Sequence, residues 1–399
     1  MTGRAEAGRQ LAAKPLTTSD VPAIPVPAAT VVLLRPGRPG ELPPQVLLTL
    51  RPATMAFAAG MHVFPGGRVD EADADPRLAS RSVRTPDEAA RSLGGNVEPA
   101  TALALHLAAI RELIEEAGVL LAGGPVEPER LAELRRAMLA GAALADALDG
   151  LDLKLRTDLL APVAHWTTPP FMPRRFSTWF FAADLPPDSE PTFDGDEVIA
   201  HRWLSPSAAL DQLAAGEIEM WVPTSSVLQR LIETGATSAA EIRERITLAP
   251  APPPRIVEEG PEIVRFVFGA VGASPGREGS STLHGRRDLV LVDPGDPSDA
   301  ALEAIAVAVR RREGAIRAIV LTAPVPDRAA AAEAVAIPLG IPILVAPGAG
   351  RHLPYATEEV ADGRRLPADV DVRVRLGLPG SGRLEVVSSS AGATRSAGE

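Results

Sequence analysis

The chain contains no cysteine. That excludes disulfides, thiolate zinc sites and a cysteine nucleophile. Lysine is scarce, and 40 basic residues face 51 acidic ones, for a net charge of −11. Such a balance argues against nonspecific nucleic-acid binding, which needs a basic face. No run of about 18 apolar residues occurs, so no helical membrane span is expected. Met1 to Pro27 mix Arg, Lys, Thr, Ala and Pro without a continuous apolar core. They read as a disordered arm, residues 1–27, rather than a signal peptide, and a cytoplasmic protein is expected. At 399 residues the chain exceeds one ordinary core, so two domains are expected.

What is present is concentrated in Arg111-Glu112-Leu113-Ile114-Glu115-Glu116-Ala117-Gly118-Val119. The spacing puts Glu112, Glu115 and Glu116 on one face of a helix running from about Ala100 to Ala117. Gly118 stands where a C′ glycine would end it. Like charges crowded in this way repel, and a hard divalent cation, Mg²⁺ or Mn²⁺, would relieve the repulsion. A carboxylate-rich helix face is by default a solvated surface. Here His106 to Ile110 lead in and Leu120-Leu121 lead out, an apolar setting that turns the acidic face toward a cleft. Upstream, Phe64-Pro65-Gly66-Gly67 forms a tight turn where backbone approaches a ligand closely.

Strands are expected at Ala28 to Leu34 and Gln45 to Leu50, with a Pro/Gly-rich turn at Pro36 to Pro44 between them. Pro128 to Leu148 reads as one or two helices. Ser177 to Ala183 and Glu197 to Leu204 read as strands, Pro206 to Ala215 as a helix, and the stretch after Trp221 as a helix through Leu231. Leu248 to Pro254 is a stiff proline-rich linker.

The run at Arg111 to Val119 resembles the second half of the Nudix hydrolase signature, Arg-Glu-apolar-x-Glu-Glu-x-Gly-apolar. The first half is altered. Gly67 plus five residues reaches Asp73, where the family has Glu, and 37 residues then precede Arg111 instead of seven. The insert, Ala74 to about Pro99, reads as a loop, and it breaks the fixed spacing of Asp73 to the helix. A similar insertion occurs in the subgroup related to peroxisomal coenzyme A diphosphatases. The resemblance, from about Val26 to Ile246, implies metal binding by Glu112, Glu115 and Glu116, one of which also acts as base. It implies that Arg111 orients a box glutamate and that the backbone at Gly66 and Gly67 faces metal and substrate. Leu47 to Gly67 matches the length of a coenzyme A motif, with Arg51 as a substrate contact. Pro52 and Ala56 depart from that motif, Ala56 standing where it has a second arginine. Arg174 and Arg175 are alternative phosphate contacts. A fourth carboxylate is sought among Asp194, Asp196 and Glu197, whereas His165 and His201 read as packing or hydrogen-bonded residues.

The C-terminal part resembles the first half of a metallo-β-lactamase fold. A strand at Leu289 to Val292 ends in Asp293-Pro294-Gly295, and helix Ala300 to Val309 leads to a strand at Ile316 to Thr322. A second helix and a strand at Ile343 to Ala346 follow. On the Thr-His-x-His-x-Asp-His motif, Ala323, Val325 and Arg328 replace the histidines and only Asp327 remains; Ala393 replaces a later histidine. One carboxylate cannot hold a binuclear zinc centre, so this domain is expected to be metal-free.

The expected fold is α/β (α+β): a Nudix α/β/α sandwich over 28–247, a linker at 248–255, and a shortened αββα metallo-β-lactamase-like domain over 256–399. The expected function is Mg²⁺- or Mn²⁺-dependent hydrolysis of a diphosphate bond in a nucleoside diphosphate derivative, with CoA or acyl-CoA the candidate. The partner is a small-molecule nucleotide, with no nucleic acid and no membrane, and a homodimer is left open. The rival is a noncatalytic protein binding a nucleotide or a partner.

Overall fold

The computed structural model describes residues 23–388, apart from 36–42, 55–58, 125, 171, 173, 188, 194–197, 249–251, 269–278, 296–297, 324, 354–356 and 378–382. It separates into two compact units, one of Pro25–Thr167 with Phe176–Pro250, the other including Thr168–Arg175 and Ala251–Glu399.

The first unit is built on a mixed sheet of β1 (Val26–Arg35), β2 (Gln45–Leu50), β3 (His62–Val63), β4 (Gly66–Arg68), β5 (Ala161–Thr167), β6 (Phe176–Asp184) and β7 (Ala200–Leu204). The order is β3-β2-β1-β6-β5, with β4 paired to β1 and β7 to β2. β1 and β6 run parallel; the other pairs are antiparallel. The unbroken apolar runs of β1 and β2 follow from burial on both faces. Ala29, Val31, Leu33 and Leu47 point into one core, and Val32, Leu34, Val46 and Leu48 into another. This alternation is the period-two geometry of a strand.

The helices of this unit are α1 (Pro76–Arg81), α2 (Pro86–Ser92), α3 (Pro99–Ala117), α4 (Pro128–Leu139), α5 (Leu144–Ala147), α6 (Pro206–Ala215), α7 (Val222–Thr234) and α8 (Ala239–Arg245). Helix α3 fills the first core, and residues from α6, α7 and α8 fill the second, giving α/β/α layering. Pro99 sits in its first turn, and the Glu98 carboxylate accepts from Ala100 N and Thr101 N. It stops at Gly118, which is left-handed at φ 64°, as expected for that glycine. A side chain there would also run into Thr192 Oγ1.

Two expectations need correcting in this unit. β1 begins at Val26, so Val26 and Pro27 are not part of an arm but pair with Phe176 and Ser177. The insert after Ala74 is not a loop. It forms α1 and α2, each opened by a proline in the first turn and a capping side chain, Asp75 for α1 and Thr85 for α2. Thr85 and Glu88 cap reciprocally. Leu78, Ala89, Ala90 and Leu93 bury themselves in the core around α3. That burial stabilises a segment whose polar composition suggested irregular chain.

The second unit carries a seven-stranded sheet of β8 (Arg255–Glu258), β9 (Ile263–Phe268), β10 (Gly279–His284), β11 (Asp288–Val292), β12 (Ala315–Val320), β13 (Ile343–Val345) and β14 (Glu358–Glu359), ordered β14-β13-β12-β11-β10-β9-β8. β8 to β11 are antiparallel, and β11 to β14 parallel. Helices α9 (Asp299–Arg311) and α10 (Pro326–Leu339) supply crossovers. A hairpin of β15 (Val372–Leu376) and β16 (Leu384–Ser388) buries Val372, Val374 and Leu384 with Val290, Val320 and Leu344. Among the described residues this hairpin is the only second sheet, where a larger one was expected. Thr168–Arg175, expected in the first domain, clusters here: Arg175 donates to Thr168 O and Ala23 O and pairs with Glu303 of α9 at 3.6 Å.

Asp293 ends β11 in the left-handed region, φ 46°. Its carboxylate accepts from Thr322 N, Thr322 Oγ1 and Arg328 Nη1, the last at 2.7 Å. Burial raises its pKa, and Thr322 and Arg328 pull against that. Arg328 thus supplies a fixed positive charge to the strand end. The Asp327 side chain and Ala393 lie outside the described residues.

Candidate active site

Helix α3 carries its carboxylates into the interior. Glu112 and Glu116 are buried and Glu115 is partly exposed. Each has an identifiable counter-charge or donor. Arg111 Nη1 lies 2.7 Å from Glu112 Oε1 and 2.9 Å from Glu115 Oε2, bridging the two. Glu116 Oε2 accepts from Gly66 N at 3.1 Å, and its Oε1 is 3.6 Å from Arg51 Nη1. The repulsion expected among these acids is therefore relieved by two arginines. Among the described residues no group of three or more His, Asp or Glu side chains is drawn together closely enough to hold a metal ion.

The glycine turn meets the helix directly. A side chain on Gly67 would run into the Glu112 carboxylate, and one on Gly66 into the backbone of Ala29 and Thr30. Gly66 thus makes room for the β1 backbone and Gly67 for the Glu112 carboxylate. Arg51, just past the end of β2, reaches Glu116, and its buried Nε has no hydrogen-bond partner among the described residues. An unmade bond at a buried donor is costly.

Asp73 is the main departure from expectation. The insert does not separate it from the box. Asp73 is 1% exposed and grips Arg111 through Nε–Oδ1 at 2.9 Å and Nη2–Oδ2 at 3.1 Å. Its Oδ2 also accepts from Asp70 N, and Arg111 Nη2 donates to Arg68 O at 2.7 Å. Helices α1 and α2 leave and return, so Asp73, just before the insert, meets Arg111 on α3, beyond it. A second residue was missed altogether. Arg135 on α4, buried, donates from Nε and Nη2 to Glu115 O and from Nη1 to Thr192 Oγ1. It satisfies a carbonyl in the last turn of α3, where a cation also suits the helix dipole. Its only sequence signal was a basic residue on a helix placed after the box.

Burial pushes the Glu112 carboxyl up to about 7, with Arg111 pulling down and Glu115 pushing further up. Burial opposes the charge on Arg111, but Asp73, Glu112 and Glu115 outweigh it and hold its pKa above the ordinary arginine range. The network thus contains one carboxylate whose proton affinity lies near neutrality and one arginine that stays charged.

Other candidates fall elsewhere. His165 stacks on Trp179 and bonds Ser177 Oγ, and His201 stacks on Phe193, so both are packing residues. Arg174 is exposed and, like Arg175, belongs to the other unit. Ala56, Asp194, Asp196 and Glu197 lie outside the described residues.

No family model matches the chain. It is 30% identical over 260 residues to acyl-coenzyme A diphosphatase NUDT19 of Gallus gallus, a match covering 51% of this chain and 67% of that protein. The chain belongs to the Nudix hydrolase family. A second relative, putative nudix hydrolase 7 of Caenorhabditis elegans, is 28% identical over 193 residues, covering 47% of this chain and 55% of that one. The chain thus spans about two thirds of the first relative and about half of the second. A crystal structure of a Nudix hydrolase from Alicyclobacillus acidocaldarius is 28% identical, with a TM-score of 0.47, covering 57% of this chain and 99% of that one. This Nudix protein is a diphosphohydrolase of mixed α/β fold, and members of the family generally use divalent metal ions. No helix among the described residues is long and apolar enough to cross a membrane.

Proposed function

We propose that this Nudix hydrolase cleaves the diphosphate of CoA or an acyl-CoA, using Mg²⁺ or Mn²⁺ held by Glu112, Glu115 and Glu116. The observation that carries the reading is the meeting of Glu112 and Glu116 with the Gly66-Gly67 turn and of Glu116 with Arg51. The donor set suits a hard cation, being anionic oxygen on a rigid helix. Taking up the cation would require Glu112 and Glu115 to exchange contacts with Arg111. Mg²⁺ or Mn²⁺ bound there would neutralise diphosphate oxygens and polarise the attacking water.

The remaining work falls to the chain itself. Arg51, whose guanidinium reaches Glu116, binds a phosphate oxygen. Asp73 holds Arg111, and Arg111 sets Glu112 and Glu115. One of the box glutamates takes the proton from water as it attacks phosphorus and the P–O–P bridge breaks. From CoA this gives 3′,5′-ADP and 4′-phosphopantetheine. Similarity to a protein named acyl-coenzyme A diphosphatase supports the substrate class. The second unit is proposed as a degenerate metallo-β-lactamase-like domain, 256–399, joined through 248–255 to the hydrolase domain, 28–247. The location proposed is the cytoplasm.

The test is a substrate screen with CoA, acetyl-CoA, NADH, ADP-ribose and dinucleoside polyphosphates in Mg²⁺ or Mn²⁺. CoA or its thioester should be preferred, and Glu115→Gln and Glu116→Gln should each lower kcat by about 100-fold or more, in line with loss of an acid–base or metal-binding group. Good turnover of ADP-ribose with none of CoA would overturn the substrate, and wild-type rates in both variants would overturn the site.

A further inference from the structure

A cavity of about 370 Å³ opens in the hydrolase unit, away from the box glutamates and lined by Arg84, Glu88, Arg91, Ser92, Pro162, Arg243, Ile246 and Leu248. This is the lower end of the size range of small-molecule pockets. Its wall has two halves. Pro162, Ile246 and Leu248 are apolar, while Arg84, Arg91 and Arg243 bring three guanidinium groups against the one carboxylate of Glu88. That carboxylate is already engaged by Thr85 N and Thr85 Oγ1. Arg84 and Arg243 both donate to Asp158 O, at 3.5 and 2.6 Å, which draws two like charges together. The nearby Asp158 carboxylate offsets them only in part, since both its oxygens bond to Arg156, at 2.8 and 2.7 Å. Burial and the charge of Arg243 depress the Arg84 pKa, and Asp158 and Glu88 pull against that without reversing it. A cationic cluster short of counter-charge beside an apolar wall suits an anionic head on an apolar body.

We propose that this cavity is a second ligand site, for a small amphipathic anion carrying a phosphate or carboxylate. The insert that interrupts the Nudix signature builds one side of it, through Arg84, Glu88, Arg91 and Ser92. Ser92 Oγ in turn meets His106 Nε2 of α3 at 3.2 Å, so the site abuts the helix that carries the box. It shares no lining residue with the diphosphate site, and its existence does not depend on the substrate proposed above.

The experiment titrates the full chain, free of divalent metal, with phenyl phosphate, benzoate, inorganic phosphate and, as the uncharged control, benzyl alcohol, read by calorimetry and thermal shift. Phenyl phosphate or benzoate should bind saturably with one site and raise Tm, the tighter of the two naming the head group. Inorganic phosphate should bind at least tenfold more weakly, and benzyl alcohol should leave Tm unchanged. Arg91→Gln with Arg243→Gln, both exposed positions, should raise Kd at least tenfold while leaving CoA hydrolysis unchanged. Arg51→Gln, at the other site, should leave the binding intact. Absence of saturable binding, unchanged binding in the double variant, or loss of binding in Arg51→Gln alone would each overturn the assignment. Arg84→Lys, which keeps the charge but not the fork, gives a second reading should the double variant fold poorly.

Discussion

Replacing Asp73 by Asn tests whether the ion pair that spans the insert holds the active site in place. The Asp73 carboxylate is almost fully buried and makes both short contacts to Arg111. Asparagine keeps one acceptor but turns an N–H toward the second guanidinium nitrogen and removes the negative charge. Breaking one side of a buried ion pair costs about 3–5 kcal/mol, and Asn retains part of the bonding, so a loss of about 3 kcal/mol is expected. For a unit of this size that corresponds to a fall in Tm of about 6–12 °C. Arg111, left without its anchor, should also hold Glu112 and Glu115 less well, so kcat should fall more than KM changes. Urea and thermal unfolding measure the first effect, and steady-state kinetics below the new Tm measure the second. Asp73→Glu restores charge and should recover part of the rate, the longer side chain limiting stability. An Asp73→Asn protein with wild-type stability and wild-type kcat would refute the reasoning, because the ion pair would then be neither structural nor positioning.

Arg51→Ala should lower kcat/KM for CoA roughly ten- to a hundredfold, a loss of about 1.4–2.7 kcal/mol of transition-state stabilisation, and do so far more than for ADP-ribose; equal losses on both substrates would argue against a CoA contact. Gly67→Ala drives a methyl into the Glu112 carboxylate, so steady-state rates should fall at least tenfold and stability by about 1–3 kcal/mol, and near-normal kinetics would show that the turn need not approach the helix. His106 is buried and held neutral, its pKa pushed from 6.5 down to about 4, chiefly by burial. The unfolded chain therefore binds a proton between these pH values that the folded chain refuses. Its contribution, about 3 kcal/mol at ~1.36 kcal/mol per pH unit, is complete above pH 6.5 and is lost as pH falls through 4. Urea unfolding at pH 7 and pH 4.5 should show the loss in wild type and a smaller one in His106→Gln.

The local features of the box could be read from the chain because they depend on neighbours in sequence. Glutamates at i, i+3 and i+4 share a helix face, Gly118 takes the left-handed turn, and alternating apolar residues give β1 and β2 two buried sides. The capping signals of the insert, Asp75-Pro76 and Thr85-Pro86-Asp87-Glu88, were equally local and were outweighed by its polar composition. Only the tertiary structure could bring Asp73 to Arg111 across the insert, Arg51 to Glu116, and Arg135 to the end of α3. Spacing along a chain encodes contacts within a turn or a hairpin. A segment that leaves as two helices and returns makes sequence distance uninformative, and what decides the pairing is the cost of burying a charge without its partner.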